Sequence, residues 1–225
     1  MGPAILLDYL GVALFAATGA LVASRQQLDI VGFIFLAMLT GMGGGTLRDL
    51  ILGVPVFWVK QPAFVLVCAG AAVLTFFSAH LLESRYRWVL WLDAAALAAY
   101  CVYGAYKGLA VTGSPVVAAV MGMMTAALGG VMRDIVAGEP SVLLRKEIYM
   151  LAALVGAASY VLADAAGLRP LHAILAGYAA AFGMRSGALI FGWTLPAYHS
   201  RPGREAEASL EAARKKRAAR RRRRQ

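Results

Sequence analysis

One stretch of this sequence occurs twice. Gly43-Gly44-Gly45-Thr46-Leu47-Arg48-Asp49, followed by Gly53 and Pro55, returns as Gly129-Gly130-Val131-Met132-Arg133-Asp134, followed by Gly138 and Pro140. Every matched position is shifted by 85 residues, and the register extends beyond the motif: Asp8 matches Asp93, Gly19 matches Gly104 and Thr40 matches Thr125. An ungapped register from Asp8 to Pro55 marks a tandem duplication, which we place over residues 4–168. Both copies of the motif interrupt long apolar segments. The fold must therefore accommodate glycine runs and paired charges inside otherwise apolar helices.

Composition fixes the solvent. Of 225 residues, 60% are hydrophobic and 15% charged, against about 25% charged in an ordinary soluble domain. The formal charge of +10 is concentrated at one end, since residues 201–225 hold eleven Lys/Arg and three Glu. The body is nearly neutral, as expected of an integral membrane protein. The start, Met1-Gly2-Pro3, lacks a basic n-region, so the first apolar segment is expected to be retained.

A spanning helix needs about 20 mostly apolar residues. The pattern predicts an all-α, polytopic chain with spans at 4–24, 30–52, 62–82, 88–107, 115–137, 148–165 and 171–193. Alternate connections collect Lys60, Lys107 and Arg169 on one side. The other side collects Arg25, Arg85, Arg87, Arg145, Lys146 and the basic tail. The positive-inside rule places the second set in the cytoplasm, with the N-terminus outside. Three spans per copy then give an inverted repeat: residues 1–84, residues 85–168, a seventh helix in 169–200 and a tail at 201–225. The tail is expected to be helical over 205–217, disordered beyond, and to anchor on an anionic leaflet. Without aromatics or a fold around its arginines, nucleic acid is not an expected partner.

Each glycine in a helix costs roughly 1 kcal/mol relative to Ala. Within a membrane, broken backbone is tolerated where it is buried in protein or lines water. The second and fifth spans are therefore expected to be kinked or unwound at Gly43–Gly45 and Gly129–Gly130, freeing backbone groups for an ion or a small polar substrate. The alternative is that these glycines only permit close helix crossing. Thr40 and Thr125, one turn earlier, either offer hydroxyls to an ion or brace the kink.

Arg48, Asp49, Arg133 and Asp134 each cost at least about 2.5 kcal/mol at a helix centre, so they should face the bundle and be paired. Neighbouring residues point about 100° apart on a helix, so partners are expected from other spans. Depth predicts Asp8 with Arg48 and Asp93 with Arg133, one cluster on each side of the glycines. Such pairs either lock helices or bound a pore. Lys107 is expected to snorkel to the surface, and Arg185 either to snorkel or to contact the core. Tyr100, Tyr103, Tyr106 and Tyr178 read as packing or interfacial aromatics. Cys68 and Cys101 read as small packing residues, and His80, His172 and His199 are not spaced as a metal site. There is no Walker motif and no nucleophile elbow, so an enzyme is not expected.

The doubled Gly-Gly-x-x-Arg-Asp pattern, on three spans plus three plus one, resembles the prokaryotic TRIC family, relatives of the trimeric intracellular cation channels. The resemblance covers residues 4–195 and omits the tail. It implies a homotrimer in the bacterial inner membrane with one pore per subunit between the second and fifth helices. Monovalent cations, notably potassium but also sodium, would permeate. No cofactor is implied; bound cations or lipid would be the ligands. Carried onto this chain, the pore-lining residues are Thr40, Gly43, Gly44, Gly45 and Arg48 in one half, and Thr125, Gly129, Gly130 and Arg133 in the other. Asp8, Asp49, Asp93 and Asp134 would neutralise the arginines. The chain departs from symmetry at Gly43, where the second copy has Leu128. The same family has been described as glycine transporters, so the alternative is a secondary transporter of a small amino acid.

Overall fold

The duplication is visible first in how its helices start and stop. In the computed structural model, which describes residues 3–81, 85–141, 148–196, 208–209 and 211–213, α2 (Ile30–Ile51) is capped by Asp29, whose Oδ1 accepts from the Gly32 amide at 2.8 Å. Its counterpart α6 (Pro115–Val136) is capped by Ser114, 85 positions on, accepting from the Val117 amide. Such caps satisfy amides left orphaned by the first turn. Both helices end on a left-handed glycine, Gly53 at φ 65° and Gly138 at φ 66°. The amides beyond them return to the Asp49 and Asp134 carbonyls at 3.0 and 2.9 Å. Only glycine takes that conformation without a Cβ clash, which explains the Gly-x-Pro tail of each motif.

The remaining elements are α1 (Pro3–Arg25), a single turn α3 (Phe57–Lys60), α4 (Ala63–Ser78) extended by a 3₁₀ turn at Ala79–Leu81, α5 (Arg85–Thr112), α7 (Met150–Ala165) and α8 (Pro170–Phe191). Among the described residues all regular structure of any length is helical, and six helices are long and apolar enough to cross a membrane. The segment expected at 148–165 gives α7, which is apolar but only 16 residues long. The α3 turn had no sequence signal, because Pro55 and Pro62 bracket an aromatic run too short to read as an element.

Packing repeats the duplication. α1 packs on α2 and α4 as α5 packs on α6 and α7, and the halves meet through α1 against α5 and α2 against α6. α8 lies on α5 and α7. Small residues set the spacing, as membrane helices require when no hydrophobic force drives them together. A Cβ on Gly19 would lie 2.4 Å from the Leu36 carbonyl oxygen, and one on Gly104, its counterpart, 2.9 Å from that of Met121. Cys68 and Cys101 are buried free thiols within this packing.

One central difference between the halves is Tyr100, where the first copy has Phe15. The two rings meet edge to face at 5.4 Å, and the Tyr100 hydroxyl donates to the Gly41 carbonyl at 2.9 Å. Replacing Tyr100 by Phe is expected to lower stability by about 1 kcal/mol, the net value of one buried hydrogen bond. A lower thermal midpoint in detergent, with the oligomer intact, is the check.

The helices belong to one compact unit ending at Leu195; the segment from Pro196 onward forms another. In that segment residues 208–209 and 211–213 are helical. The rest of the helix expected at 205–217, and the arginine runs, lie outside the described residues.

Candidate functional site

The doubled motifs meet each other. At the crossing of α2 and α6, a Cβ on Gly44 would stand 2.3 Å from the Thr125 carbonyl oxygen, and a Cβ on Gly129 2.5 Å from that of Thr40. The contact is reciprocal, and each helix backbone rests on the other at its own glycine. Neither helix is unwound there: α2 and α6 are continuous across their glycines. Of the two forms expected from sequence, kinked or unwound, the unwound one does not form, because backbone packing offsets the glycine cost. The Thr40 and Thr125 hydroxyls both donate to carbonyls one turn back, Leu36 and Met121, at 2.6 Å. Such bonds bend a helix without breaking it.

The other motif glycines make room for side chains. A Cβ on Gly45 would lie 2.7 Å from the Phe57 ring, and one on Gly43 2.7 Å from Met132 Sδ. One on Gly130 would lie 3.0 Å from Tyr149 Oη and 3.4 Å from Asp93 Oδ1. The extra glycine of the first copy thus admits Met132 of the second.

The charges form two clusters, one at each motif. In the first, Arg48 Nε donates to Asp49 Oδ1 at 2.7 Å, and the Lys107 ammonium approaches the same oxygen at 2.8 Å. Asp49 Oδ2 accepts the Phe57 amide at 3.0 Å, which ties α3 to the cluster. The Arg48 guanidinium lies over the Tyr103 and Phe57 rings, at 5.0 and 5.7 Å, in range for cation–π attraction. Asp8 is buried beside the Tyr103 hydroxyl, facing Arg48 and Lys107. In the second cluster Arg133 Nη1 donates to Asp93 Oδ1 and to Thr18 Oγ1, each at 2.9 Å. Its Nε and Nη2 both donate to Asp134 Oδ1, at 3.0 and 2.9 Å.

Sequence reasoning therefore needs three corrections. Arg48 and Arg133 do pair with the aspartates next to them in sequence. Their backbone directions differ by about 100°, but a long guanidinium arm reaches around the helix. Asp93 joins Arg133 as expected, whereas Asp8 faces Arg48 without a hydrogen bond between them. Lys107 does not snorkel outward: α5 continues to Thr112, which leaves Lys107 inside the helix and aimed at Asp49. Arg185, read either way from sequence, is wholly buried and lies over the Tyr149 ring at 5.2 Å.

Thr18, Phe57 and Tyr149 were missed. The repeat register held the signal for two of them: Thr18 is the counterpart of Tyr103 at the other arginine, and Tyr149 is the counterpart of Phe64.

The first cluster opens on water-accessible space. A cavity of about 430 Å³ is lined by Asp8, Tyr103, Lys107, Phe57, Lys60 and Gln61, among others. Asp8, Tyr103 and Lys107 thus belong both to the charge cluster and to the cavity wall.

Comparison with known proteins agrees with this architecture. The family model described as "Glycine transporter" matches residues 5–80 and again residues 90–165, the same shift of 85. An inner membrane protein of Escherichia coli K12, UPF0126 protein YadS, is 38% identical over 152 residues, covering 67% of this chain and 73% of its own length. A UPF0126 membrane protein of Vibrio cholerae is 35% identical over 195 residues, covering 86% and 82%. The crystal structure of the TRIC trimeric intracellular cation channel orthologue from Rhodobacter sphaeroides superposes with a TM-score of 0.83 at 52% identity, covering 86% of this chain and all of that one. A further structure, described as the basis for conductance through TRIC cation channels, gives 0.78 at 26% identity, covering 88% and 98%.

Fold and site together define an all-helical bacterial inner-membrane protein built on a duplicated three-helix unit, with a buried Arg–Asp pair in each copy. The chain belongs to the prokaryotic TRIC family, the family whose model carries the glycine-transporter description. Its described relatives are membrane proteins and channels rather than enzymes.

Proposed function

We propose that this protein is a potassium-permeable monovalent cation channel. In this reading it is a homotrimer in which each subunit carries its own pore along the α2–α6 crossing. The observation that carries the reading is the placement of a neutralised Arg–Asp cluster in each copy of the motif, beside a glycine contact between the two copies, with a cavity walled in part by Asp8, Tyr103 and Lys107 at the first. The likeness to the Rhodobacter sphaeroides trimeric cation channel supports both the activity and the assembly. Thr40, Gly43, Gly44, Gly45, Arg48 and Asp49 line one half of the path; Thr125, Gly129, Gly130, Arg133 and Asp134 line the other. The N-terminus lies outside and the basic tail in the cytoplasm, following the Lys/Arg asymmetry. No cofactor takes part; permeating cations and membrane lipid are the ligands.

A guanidinium repels cations unless carboxylates cancel it, so the arginines brace the path rather than select the ion. Replacing Arg48 by Ala is expected to change open probability and to leave cation-over-anion selectivity intact. Single-channel recording with asymmetric salt measures both, and a variant that becomes anion-selective would defeat the assignment.

The glycine-transporter description of the family model favours a second reading, a carrier for a small amino acid. Rate separates the two. Proteoliposomes loaded with potassium chloride should discharge at channel rates without saturating. Slow, saturable uptake of glycine with no such discharge would establish the carrier.

A further inference from the structure

α8 lies outside the duplication, and its only Asp, Glu, Lys or Arg is Arg185. Among the described residues Arg48, Arg133 and Arg185 are the largest fully buried side chains. The first two sit in the charge clusters of the two motifs. A buried guanidinium needs carboxylate charge nearby, because burying an unbalanced ion is costly. α8 lies on α5 and α7, whose only carboxylates are Asp93 and Asp164. Asp164 stands beside the turn into α8, and from Pro170 to Arg185 that helix runs about 22 Å at 1.5 Å per residue. Asp93 is at the level of Arg185, and one side chain, Tyr149, stands between them.

Tyr149 is the N-cap residue of α7. The Arg185 guanidinium lies over its ring at 5.2 Å, in range for cation–π attraction. The hydroxyl at the other end of that ring faces Gly130 together with the second cluster. The point at which a Gly130 Cβ would stand is 3.0 Å from Tyr149 Oη, 3.4 Å from Asp93 Oδ1 and 3.6 Å from Arg133 Nη2. A reciprocal glycine contact fixes α8 in place about two turns before Arg185. A Cβ on Gly156 of α7 would lie 2.9 Å from the Gly177 carbonyl oxygen, and one on Gly177 2.9 Å from that of Gly156. The charge count points the same way. Asp93 and Asp134 set two negative charges against the single positive charge of Arg133. In the first cluster two carboxylates face two cations, Arg48 and Lys107. The residue that matches Lys107 at the second cluster is Val22, so α1 brings no such charge.

We propose that Arg185 is the positioning residue that α8 contributes to the second cluster. Its guanidinium holds the Tyr149 ring against Asp93 and supplies the positive charge that the duplication leaves out, so that this half of the path presents no net fixed charge. The statement about the path rests on the cation-channel reading; the role of Arg185 in the cluster does not.

The test uses the full chain with Arg185→Met, Arg185→Lys, Asp93→Asn and the double variant Arg185→Met/Asp93→Asn, their thermal midpoints read in one detergent. Arg185→Met leaves two carboxylates on Arg133 and should lower the midpoint by about 5–10 °C. Arg185→Lys keeps the charge and should regain at least half of that loss. Asp93→Asn alone leaves two cations on Asp134. The double variant leaves one charge of each sign and should melt no lower than Arg185→Met, whereas independent side chains would give added losses. Added losses, or a wild-type midpoint for Arg185→Met, would overturn the proposal. If Arg185→Met does not fold, recovery of folded oligomer in the double variant supports the proposal and its absence overturns it. Bilayer currents at about 50 mM potassium chloride then test the path. Arg185→Met should pass about two- to three-fold more current at one polarity than wild type does, and Arg185→Lys should not. Unchanged currents beside non-additive midpoints would support Arg185 as the positioning residue and remove the ion path from this cluster. No current from wild type would defeat the channel reading alone, and the midpoints would still decide the role of Arg185.

Discussion

Arg133→Ala is expected to destabilise the folded protein by about 3–5 kcal/mol, the usual penalty for removing one partner of a buried ion pair, and Arg48→Ala by clearly less. The asymmetry follows from what each substitution leaves behind. Arg133 is the hydrogen-bonded partner of Asp93, Asp134 and the Thr18 hydroxyl, and all three are buried. Without it both carboxylates lose the guanidinium that bonds them in the buried interior. Arg48 shares Asp49 with Lys107, and Asp8 borders the cavity. Its removal leaves one cation in place and lets water reach the remaining charge. Thermal midpoints of the two variants in one detergent check this, together with the fraction that elutes as wild-type oligomer. Equal losses would mean that Lys107 does not support Asp49.

Gly44→Ala and Gly129→Ala are the second pair of large effects. A methyl at either position meets a backbone carbonyl oxygen, at 2.3 Å for Gly44 and 2.5 Å for Gly129. A carbonyl inside a helix has no rotamer with which to yield, so α2 and α6 must separate. Overpacking of this kind costs about 1–3 kcal/mol or more, against a helix-propensity gain of up to about 1 kcal/mol. Gly70 and Gly183 are also helical, but a Cβ there meets nothing within 4 Å. Their Ala variants should be neutral or slightly more stable. The thermal midpoints of the four Ala variants decide it: a loss at Gly44 and Gly129 alone fits a glycine-on-backbone crossing, and uniform behaviour does not.

Much of this was legible from the sequence because the duplication compares the chain with itself. The repeat register located both glycine motifs and the arginine and aspartate that follow each of them before any fold was known. The errors arose where the argument used one helix at a time. Arg48 with Asp49 was dismissed from backbone directions, although a guanidinium reaches well past the direction of its own Cα. Kinking or unwinding at Gly43–Gly45 was inferred from the propensity of an isolated helix, and the unwound alternative fails because the facing glycine on α6 provides the packing that keeps α2 helical throughout. Lys107 was read as the end of a span because a charge commonly ends one; the apolar residues after it, from Gly108 to Val111, carry α5 further. Phe57 bears on the first cluster only through tertiary contacts, and no sequence pattern marks it.

The most direct test of the account is a planar-bilayer recording of the purified protein across a potassium chloride gradient. Discrete current steps reversing near the potassium equilibrium potential are the expected result. Steps reversing near the chloride potential, or a silent bilayer from protein that takes up glycine saturably in proteoliposomes, would contradict it.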